Sequence, residues 1–315
     1  MQIGHNGIPK SRTLSHGDYT IGWICSLPFE IAAAKAMMDE VHLDLLPDGC
    51  DDNSYILGRV HCHNVVVACL PTGAIGPTPA ATVATKMLST FPMIRYGLLV
   101  GIGGGVPAQT DIRLGDVVVG KPVKGRGAVI QYDHSEISGQ LSPLNNPPHA
   151  LLTALSKLQA IHLVEGNQIA HLLSEMVTKH PLLKDMVTPK SPDRLFIAAY
   201  RHNSSRHCGN CDRTKLVRRP ARTKDAPQVH YGVIASSNCV MKNSLTRDRL
   251  ASQHGIICFE MEAAGLMNTF PCLVIRGISD YADSHKNDDW QGYAAATAAA
   301  YAKELLLLLP AKKIG

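Results

Sequence analysis

The sequence predicts an α/β fold in a single domain. Runs of apolar residues, typical of buried strands, alternate with segments of helical periodicity along most of the chain. The chain has 315 residues, of which 45% are hydrophobic and 18% charged. This composition is typical of a globular protein with a large core. No clear linker divides the chain, so we expect one domain over residues 1–315.

The predicted elements follow one another through short connections. The first helix begins at Pro28, a residue suited to the first turn because no N–H partner is needed there. The two strands predicted on either side of residues 61–62 are expected to form a hairpin. Strands are predicted at residues 19–27, 54–60, 63–71, 96–105, 114–123, 127–134, 229–236, 254–259 and 272–279. Helices are predicted at residues 28–38, 78–91, 148–161, 167–180, 241–254 and 292–309, with a helix start after residue 260.

The middle of the chain, residues 139–228, is less regular than the rest. Clusters of Pro, Ser and Asn there predict long surface loops around two helices. We therefore interpret this stretch as a large insertion into the domain.

The net charge of +5 is mild and comes largely from one segment, KLVRRPARTK, at residues 215–224. That segment has no aromatic residue to stack on bases, which favours a solvated loop over a nucleic-acid site. The polar N-terminal stretch predicts no secretory signal, and the LLLLLP run near the C-terminus is too short to span a bilayer. These features predict a cytoplasmic protein without nucleic-acid or membrane partners.

The chain has nine cysteines, most of them in apolar contexts. This usage favours reduced thiols over a disulfide framework. The sequence HCGNC gives Cys208 and Cys211 the spacing of metal ligands, and His202 and His207 could contribute. Because structural zinc needs four ligands and no second cysteine pair follows, we expect no metal here.

A glycine-rich motif, VGIGGGV, ends the predicted strand at residues 96–105. The G-x-G-x-x-G fingerprint fails at Val106, no helix follows, and the chain has no G-x-x-x-x-G-K-[ST] motif. Nicotinamide cofactors and P-loop nucleotide hydrolysis are thereby disfavoured, and no cofactor is expected. Glycines at a strand end let a ligand approach the backbone closely, although a tight packed turn explains them equally well.

Polar residues gather at the predicted ends of four strands. Since ligands of open α/β sheets bind at the carboxyl ends of strands, this convergence predicts one active site. Charged residues are rarely buried without a partner, so the glutamates in the apolar stretch CFEMEAAGLMN need a function. The four groups are residues 26–30, residues 101–105, residues 236–241, and Glu260 and Glu262 with Asp280.

Asp280 lies at the mouth of a buried strand in VIRGISDYADSHKN, with Arg276 and Ser279 nearby. Such a carboxyl group is either kept neutral by burial or paired with an arginine. In its protonated form it can donate to a ring nitrogen and act as a general acid on a leaving base. A structural ion pair or a helix cap is the alternative interpretation.

Several motifs in this order resemble the nucleoside phosphorylase and nucleosidase superfamily. They are SLPFE, TGAIGPTPAATVA, VGIGGGV with DIRLGDVVV, YGVIASSN, FEMEAAG and VIRGISDYAD. The chain is most similar to the purine and uridine phosphorylase-like domains of fungi, which often stand at the N-terminus of larger nucleotide-binding receptor proteins. The resemblance covers about residues 18–308. It implies a three-layer α/β/α architecture around a central mixed, partly barrel-like sheet.

The resemblance also implies roles for individual residues. Glu262 resembles the glutamate that binds the ribose hydroxyls, and Asp280 resembles the acid at N7 of a purine. Glu260 is then expected to support the site rather than bind substrate. Further residues that the resemblance places at the substrate are Met261 under the sugar, Val240 and Met241 against the base, and Ile102, Gly103 and Ser279 around them.

The nucleophile is either water or phosphate. Leu99 and Ile102 occupy positions where the phosphate-using branch carries an arginine and a serine, which disfavours burial of a dianion here. Glu30 falls where the nucleosidase branch has a glutamate that activates water, with Arg276 in support. Ile102 also replaces a serine of the nucleosidases, and an exposed first-turn glutamate is the alternative for Glu30.

The resemblance therefore predicts cleavage of the N-glycosidic bond of adenosine, inosine or guanosine, with hydrolysis favoured over phosphorolysis. A 5′-modified adenosine is a further candidate substrate, and a homo-oligomer is expected. A nucleoside-sensing module with little turnover is the rival interpretation. One departure from the family concerns Ser237, which stands where relatives have glycine and would be strained if its φ were positive.

Overall fold

The computed structural model describes residues 14–46, 49, 51–132, 144–202, 208–222 and 226–310. Within these residues the central sheet has ten strands. They are β1 (Ile21–Cys25), β2 (Glu40–Val41), β3 (Tyr55–Val60), β4 (His63–Cys69), β5 (Tyr96–Gly105), β6 (Val117–Gly120), β7 (Val129–Gln131), β8 (Val229–Ser236), β9 (Ile256–Glu260) and β10 (Cys272–Asp280).

The helices match the predicted segments closely. They are α1 (Pro28–Met37), α2 (Pro77–Thr90), α3 (His149–Glu165), α4 (Ile169–Lys179), α5 (Ser244–His254), α6 (Ala263–Leu266) and α7 (Gln291–Leu306). The helix predicted after residue 260 is only the short α6, because the chain turns into β10 through Pro271. The predicted strand at residues 127–134 is confirmed as β7, and its last two residues lie outside the described part of the chain.

Part of the sheet closes on itself. β10 pairs with β6 and with β5, β5 pairs with β9, β9 pairs with β8, and β8 pairs with β6. Four further strands extend from β5 in the order β1, β4, β3 and β2, and β7 pairs with β8. The central mixed, partly barrel-like sheet is confirmed, and so is the predicted hairpin, in which β3 and β4 pair antiparallel.

Helices cover both faces of the sheet. Alternate residues of β1 point to opposite sides, with Trp23 in one apolar cluster and Ile24 in the other. The first cluster holds α1, α3, α4 and α7, and the second holds α2 and α6. These two clusters with the sheet between them form the three layers. Because α3 and α4 belong to the first cluster, these two helices of the expected insertion share the main core.

Lys215 and Arg218 of the basic segment are exposed, as a solvated loop predicts, but two of its arginines are not. Arg219 lies 2.7 Å from the carboxylate of Asp193, and Arg222 lies 2.6 Å from that of Asp116. The side chains of both arginines are largely buried, at 15% and 12% exposure. Their charge is neutralised by carboxylates that lie far away in sequence, which composition does not reveal. None of the helices in the described residues is both long and apolar enough to cross a bilayer.

One glycine of β10 is required by the approach of α7. A Cβ atom built on Gly277 would lie 1.8 Å from the carbonyl oxygen of Ala294, an atom of the helix backbone. A side chain at this position would push α7 away from the sheet. Gly120 of β6 is equally buried, but its Cβ would lie 3.4 Å from its nearest neighbour, an ordinary contact.

We expect Gly277→Ala to lower the free energy of unfolding by about 3 kcal/mol, because overpacking forces backbone shifts. Gly120→Ala should change it by less than about 1 kcal/mol. Urea denaturation followed by circular dichroism measures both. Equal losses in the two variants would contradict the contact between Gly277 and α7.

Candidate active site

A buried arginine lies at the centre of the site. Arg276 of β10 is 1% exposed, and its Nη2 donates to the carboxylates of Glu260 and Glu262, the latter at 3.1 Å. Its Nη1 donates to the carbonyl oxygen of Ile102 at 3.2 Å. Burial alone would lower the pKa of Arg276, but the glutamates around it, Glu260, Glu262 and Glu30, hold that pKa above its ordinary value.

Glu260 is the last residue of β9 and Glu262 lies two residues further on, and the two glutamates have different surroundings. Glu260 accepts the backbone N–H groups of Glu262 and Ala263, both at 3.1 Å to its Oε2. It therefore caps α6 and binds Arg276 at once. Glu262 makes fewer such bonds, and burial raises its pKa, although Arg276 opposes the shift. The pair divides into one structural carboxylate and one that remains available at the cavity.

Glu30 enters the site from the first turn of α1. Its Oε2 accepts the N–H groups of Ser26 at 2.7 Å and Leu27 at 3.1 Å. Its Oε1 accepts the N–H of Ile102 at 2.8 Å. The residue is 3% exposed, so the exposed first-turn alternative is wrong. Burial raises the pKa of Glu30 to about 7, even though Arg276 and these backbone N–H groups lower it.

The glycines of β5 leave room for these side chains. A Cβ on Gly101 would lie 2.5 Å from Oε1 of Glu30 and 2.7 Å from Nη1 of Arg276. A Cβ on Gly104 would lie 2.8 Å from Oδ1 of Asp280. The VGIGGGV motif is therefore the surface on which the carboxylates pack, rather than a tight turn.

Asp280 ends β10 and is paired with a lysine. Its Oδ2 accepts from Nζ of Lys286 and from Oγ of Ser279, the latter at 2.8 Å. Its Oδ1 accepts the N–H of Ala282 at 2.9 Å, a residue held at φ 50°. Burial would raise the pKa of Asp280, but Lys286 and these hydrogen bonds hold it below its ordinary value. The carboxyl group is therefore ionised, unlike the protonated acid that the sequence allows.

The carboxylates surround one cavity of about 180 Å³. Of the residues predicted for the site, Ser279 lies behind Asp280 and the other nine line this cavity: Glu30, Ile102, Gly103, Val240, Met241, Met261, Glu262, Arg276 and Asp280. The four predicted strand ends thus meet at one place.

Two features of the site escape the sequence patterns. Lys286 follows Asp280 in an irregular loop, so no periodicity predicts that its ammonium group returns to the carboxylate. Gly76, with φ 98°, gives its backbone N–H to Glu262 and would meet Asn238 if it carried a Cβ. The sequence signal that could have indicated Gly76 is its place in TGAIGPTPAATVA, one of the motifs shared with the superfamily.

The serine that replaces a family glycine is accommodated without strain. In the described residues, positive φ among non-glycine residues occurs at His61, Lys124 and Ala282, so Ser237 is not one of them. Its Oγ accepts the N–H of Cys239 at 2.9 Å. The departure at Ser237 therefore leaves the local backbone intact.

The partly closed mixed sheet gives the chain the α/β fold of solved nucleosidase structures. Residues 20–308 match the sequence profile of the phosphorylase superfamily. The chain therefore belongs to this superfamily, which includes nucleosidases and nucleoside phosphorylases, as the motifs predicted.

Three relatives illustrate the range of similar proteins. A nucleotide-binding leucine-rich repeat (NLR)-like protein of Hyaloscypha variabilis is 45% identical over 304 residues, which cover 94% of this chain and 30% of that protein. A 5′-methylthioadenosine/S-adenosylhomocysteine nucleosidase of Mycobacterium bovis is 23% identical over 300 residues, which cover 92% of this chain and 97% of that protein. The crystal structure of such a nucleosidase from Helicobacter pylori superposes with a TM-score of 0.59 at 18% identity, over 92% of this chain and 98% of that one.

The raised pKa of Glu30 makes the stability of the protein depend on pH. The folded protein holds this proton between pH 4.5 and about 7, whereas the unfolded chain releases it. Stability therefore falls as the pH rises through this window. The interval from 4.5 to about 7 corresponds to about 3 kcal/mol, at 1.36 kcal/mol per pH unit.

Glu30→Gln should remove this part of the decline, so that its unfolding free energy falls less than that of the wild type between pH 5 and 7. Urea titrations at several pH values measure the difference. The exposed Glu165→Gln is the control and should run parallel to the wild type. Parallel curves for Glu30→Gln as well would show that Glu30 ionises normally.

Proposed function

We propose that this chain cleaves the N-glycosidic bond of a purine nucleoside by hydrolysis. The observation that carries the proposal is the charge of the cavity. Four carboxyl groups line it, and its two cations, Arg276 and Lys286, are already paired with three of them. Such a cavity favours a sugar that becomes positively charged as the bond breaks.

The same charges argue against phosphate as the nucleophile. A phosphate dianion needs positive or hydroxyl partners that are free to bind it. Arg276 is occupied by Glu260 and Glu262, and Ile102 offers only its backbone, which already binds Glu30 and Arg276. Ser26 leaves one hydroxyl at the cavity that is unpaired among the described residues, and this hydroxyl by itself does not balance a dianion. Water carries no charge and can enter beside Glu30 without such partners.

Glu30 is the proposed general base. A pKa of about 7 leaves about half of the carboxyl groups ionised near neutral pH, and the ionised form can accept a proton from water. Three backbone N–H groups fix its orientation. Arg276, which the sequence assigns to the water, is directed instead toward the glutamates, and we propose that it positions Glu262.

Glu262 is the proposed ligand of the ribose hydroxyl groups. It lies between Arg276 and the N–H of Gly76, with one side on the cavity beside Met261. Hydrogen bonds from the sugar to this carboxylate strengthen as the sugar becomes electron-poor. Val240 and Met241 supply the apolar wall on which the base packs.

Asp280 and Lys286 together form the proposed base site. An ionised carboxylate accepts hydrogen bonds but cannot donate one to a ring nitrogen. Lys286 carries the proton of this pair, because Asp280 raises its pKa although burial lowers it. In our proposal the Lys286 ammonium, oriented by Asp280, donates to the purine nitrogen on which negative charge develops.

The second candidate function is nucleoside sensing with little turnover. It is favoured by the 45% identical NLR-like relative, of whose length this chain covers 30%. In that case the cavity binds a purine nucleoside and the carboxylates serve recognition alone.

Product analysis decides between these functions. Adenosine, inosine and 5′-methylthioadenosine are incubated with the protein in phosphate-free buffer and again with phosphate. We expect the free sugar and base at a rate that phosphate does not change, and a loss of about 10²–10⁴-fold in Glu30→Gln. Glu165→Gln should keep the wild-type rate. A sugar 1-phosphate that forms only with phosphate would refute hydrolysis, and binding without cleavage would establish the sensor.

The role of Lys286 is tested by comparing substrates whose leaving groups do and do not need a proton. Lys286→Met should lower kcat on the purine nucleoside by about 10²-fold, because it removes the donor to the base. A p-nitrophenyl riboside, whose leaving group needs no proton, should be cleaved by this variant at nearly the wild-type rate. The exposed Lys184→Met is the control. Full activity in Lys286→Met with loss in Asp280→Asn would make Asp280 the donor by itself.

A further inference from the structure

A cluster of metal-ligating side chains lies outside the cavity, behind Asp280. Ligand atoms of His202, Cys208 and Cys211 all lie within 4.8 Å of one another. Cys211 is buried, and Cys208 and His202 are partly buried. The sequence offers Cys208 and Cys211 by their spacing and names His202 as a possible third ligand, and the fold brings the three together.

These three donors suit zinc. Imidazole nitrogen and thiolate sulfur are its usual protein ligands in tetrahedral sites. With bonds of about 2.0–2.3 Å, the ligand atoms of such a site lie about 3.5–3.8 Å apart. An inward movement of about 1 Å or less therefore brings the cluster to this geometry. Neither calcium nor magnesium prefers sulfur ligands.

A second observation points to the same place. His285 is 8% exposed, and both of its ring nitrogens are buried without a hydrogen-bond partner among the residues that the structure describes. Asp283 approaches its Nδ1 only to 3.6 Å. The ring stacks on Phe196 at 4.2 Å between centroids, and it lies 5.3 Å from the ring of His202. Buried polar atoms are rarely left without partners.

We propose that His202, Cys208 and Cys211 bind a zinc ion. On binding, each thiol releases its proton to solvent and the thiolate donates an electron pair to the metal. A water molecule in the fourth position would give His285 a polar partner, which none of the described residues provides. Two cysteines and one histidine with a water suffice for zinc, so the missing second cysteine pair does not exclude it.

The zinc would hold the residues that bind it, His202 and Cys208 among them, against the loop between Asp280 and Lys286 behind the cavity. The N–H of His202 donates to Oγ of Ser284 at 2.9 Å, and Sγ of Cys208 lies 3.6 Å from the carbonyl oxygen of His285. The two residues contacted, Ser284 and His285, lie between Asp280 and Lys286 in the chain. A zinc bound here would therefore also hold the loop that returns Lys286 to Asp280.

The metal content of the purified full-length chain tests this site. After growth with zinc and dialysis, mass spectrometry of the metal should find one zinc per chain in the wild type. Cys208→Ser and Cys211→Ser should lose it, and the exposed Cys62→Ser is the matched control that should keep it. His202→Gln, a milder change, should weaken zinc retention in competition with a chromogenic chelator even if the cysteine variants fold poorly.

Cobalt gives an independent readout. Replacing zinc by Co²⁺ should produce the thiolate-to-cobalt absorption of the near ultraviolet in the wild type and in Cys62→Ser, weakened in either single-cysteine variant. A wild-type chain that retains no zinc after exposure to zinc chloride would overturn the proposal, whether its thiols are free or joined in a disulfide. Equal zinc content in Cys208→Ser, Cys211→Ser and the control would overturn it as well.

Discussion

The ion pairs of Arg276 with Glu260 and Glu262 are the interaction on which the rest of the site depends. A guanidinium that is 1% exposed is tolerable only because carboxylates surround it. Those carboxylates in turn are buried only because the guanidinium is there. Glu260 also caps α6, so the ion pair fixes the turn that presents Glu262. Removing either partner would leave a buried charge unpaired and the cavity without its geometry.

Close backbone approach makes this arrangement possible. β5 and β10 run side by side in parallel, and the glycines of β5 have no side chains to separate Glu30 from Arg276. The closed part of the sheet brings β8 and β9 around to the same edge. Three segments that are distant in sequence therefore place four carboxylates within one small cavity, where the charge of Glu262 raises the pKa of Glu30 and that of Glu260 raises the pKa of Glu262.

The two sides of the cavity differ in electrostatics. On one side, burial keeps the pKa of Glu30 near neutrality, so that the group can exchange a proton with water. On the other side, Lys286 holds Asp280 ionised. In the proposed hydrolysis, Glu30 would take the proton that leaves water, and the Lys286–Asp280 pair would meet the charge that builds on the departing base. The loop that carries Lys286 rests against the cluster of His202, Cys208 and Cys211.

The sequence by itself predicted the elements, because apolar periodicity and the placement of glycine and proline are local properties of the chain, and its motifs carried the resemblance that indicated the family and the candidate site residues. It predicted nearly every helix and strand in order and placed Glu30, Glu262 and Asp280 at strand ends. Only the tertiary structure decided the state of those groups. The ionised form of Asp280, the partners of Arg276 and the meeting of His202 with Cys208 arise from contacts between distant segments, and a pKa depends on such contacts and on burial rather than on sequence neighbours.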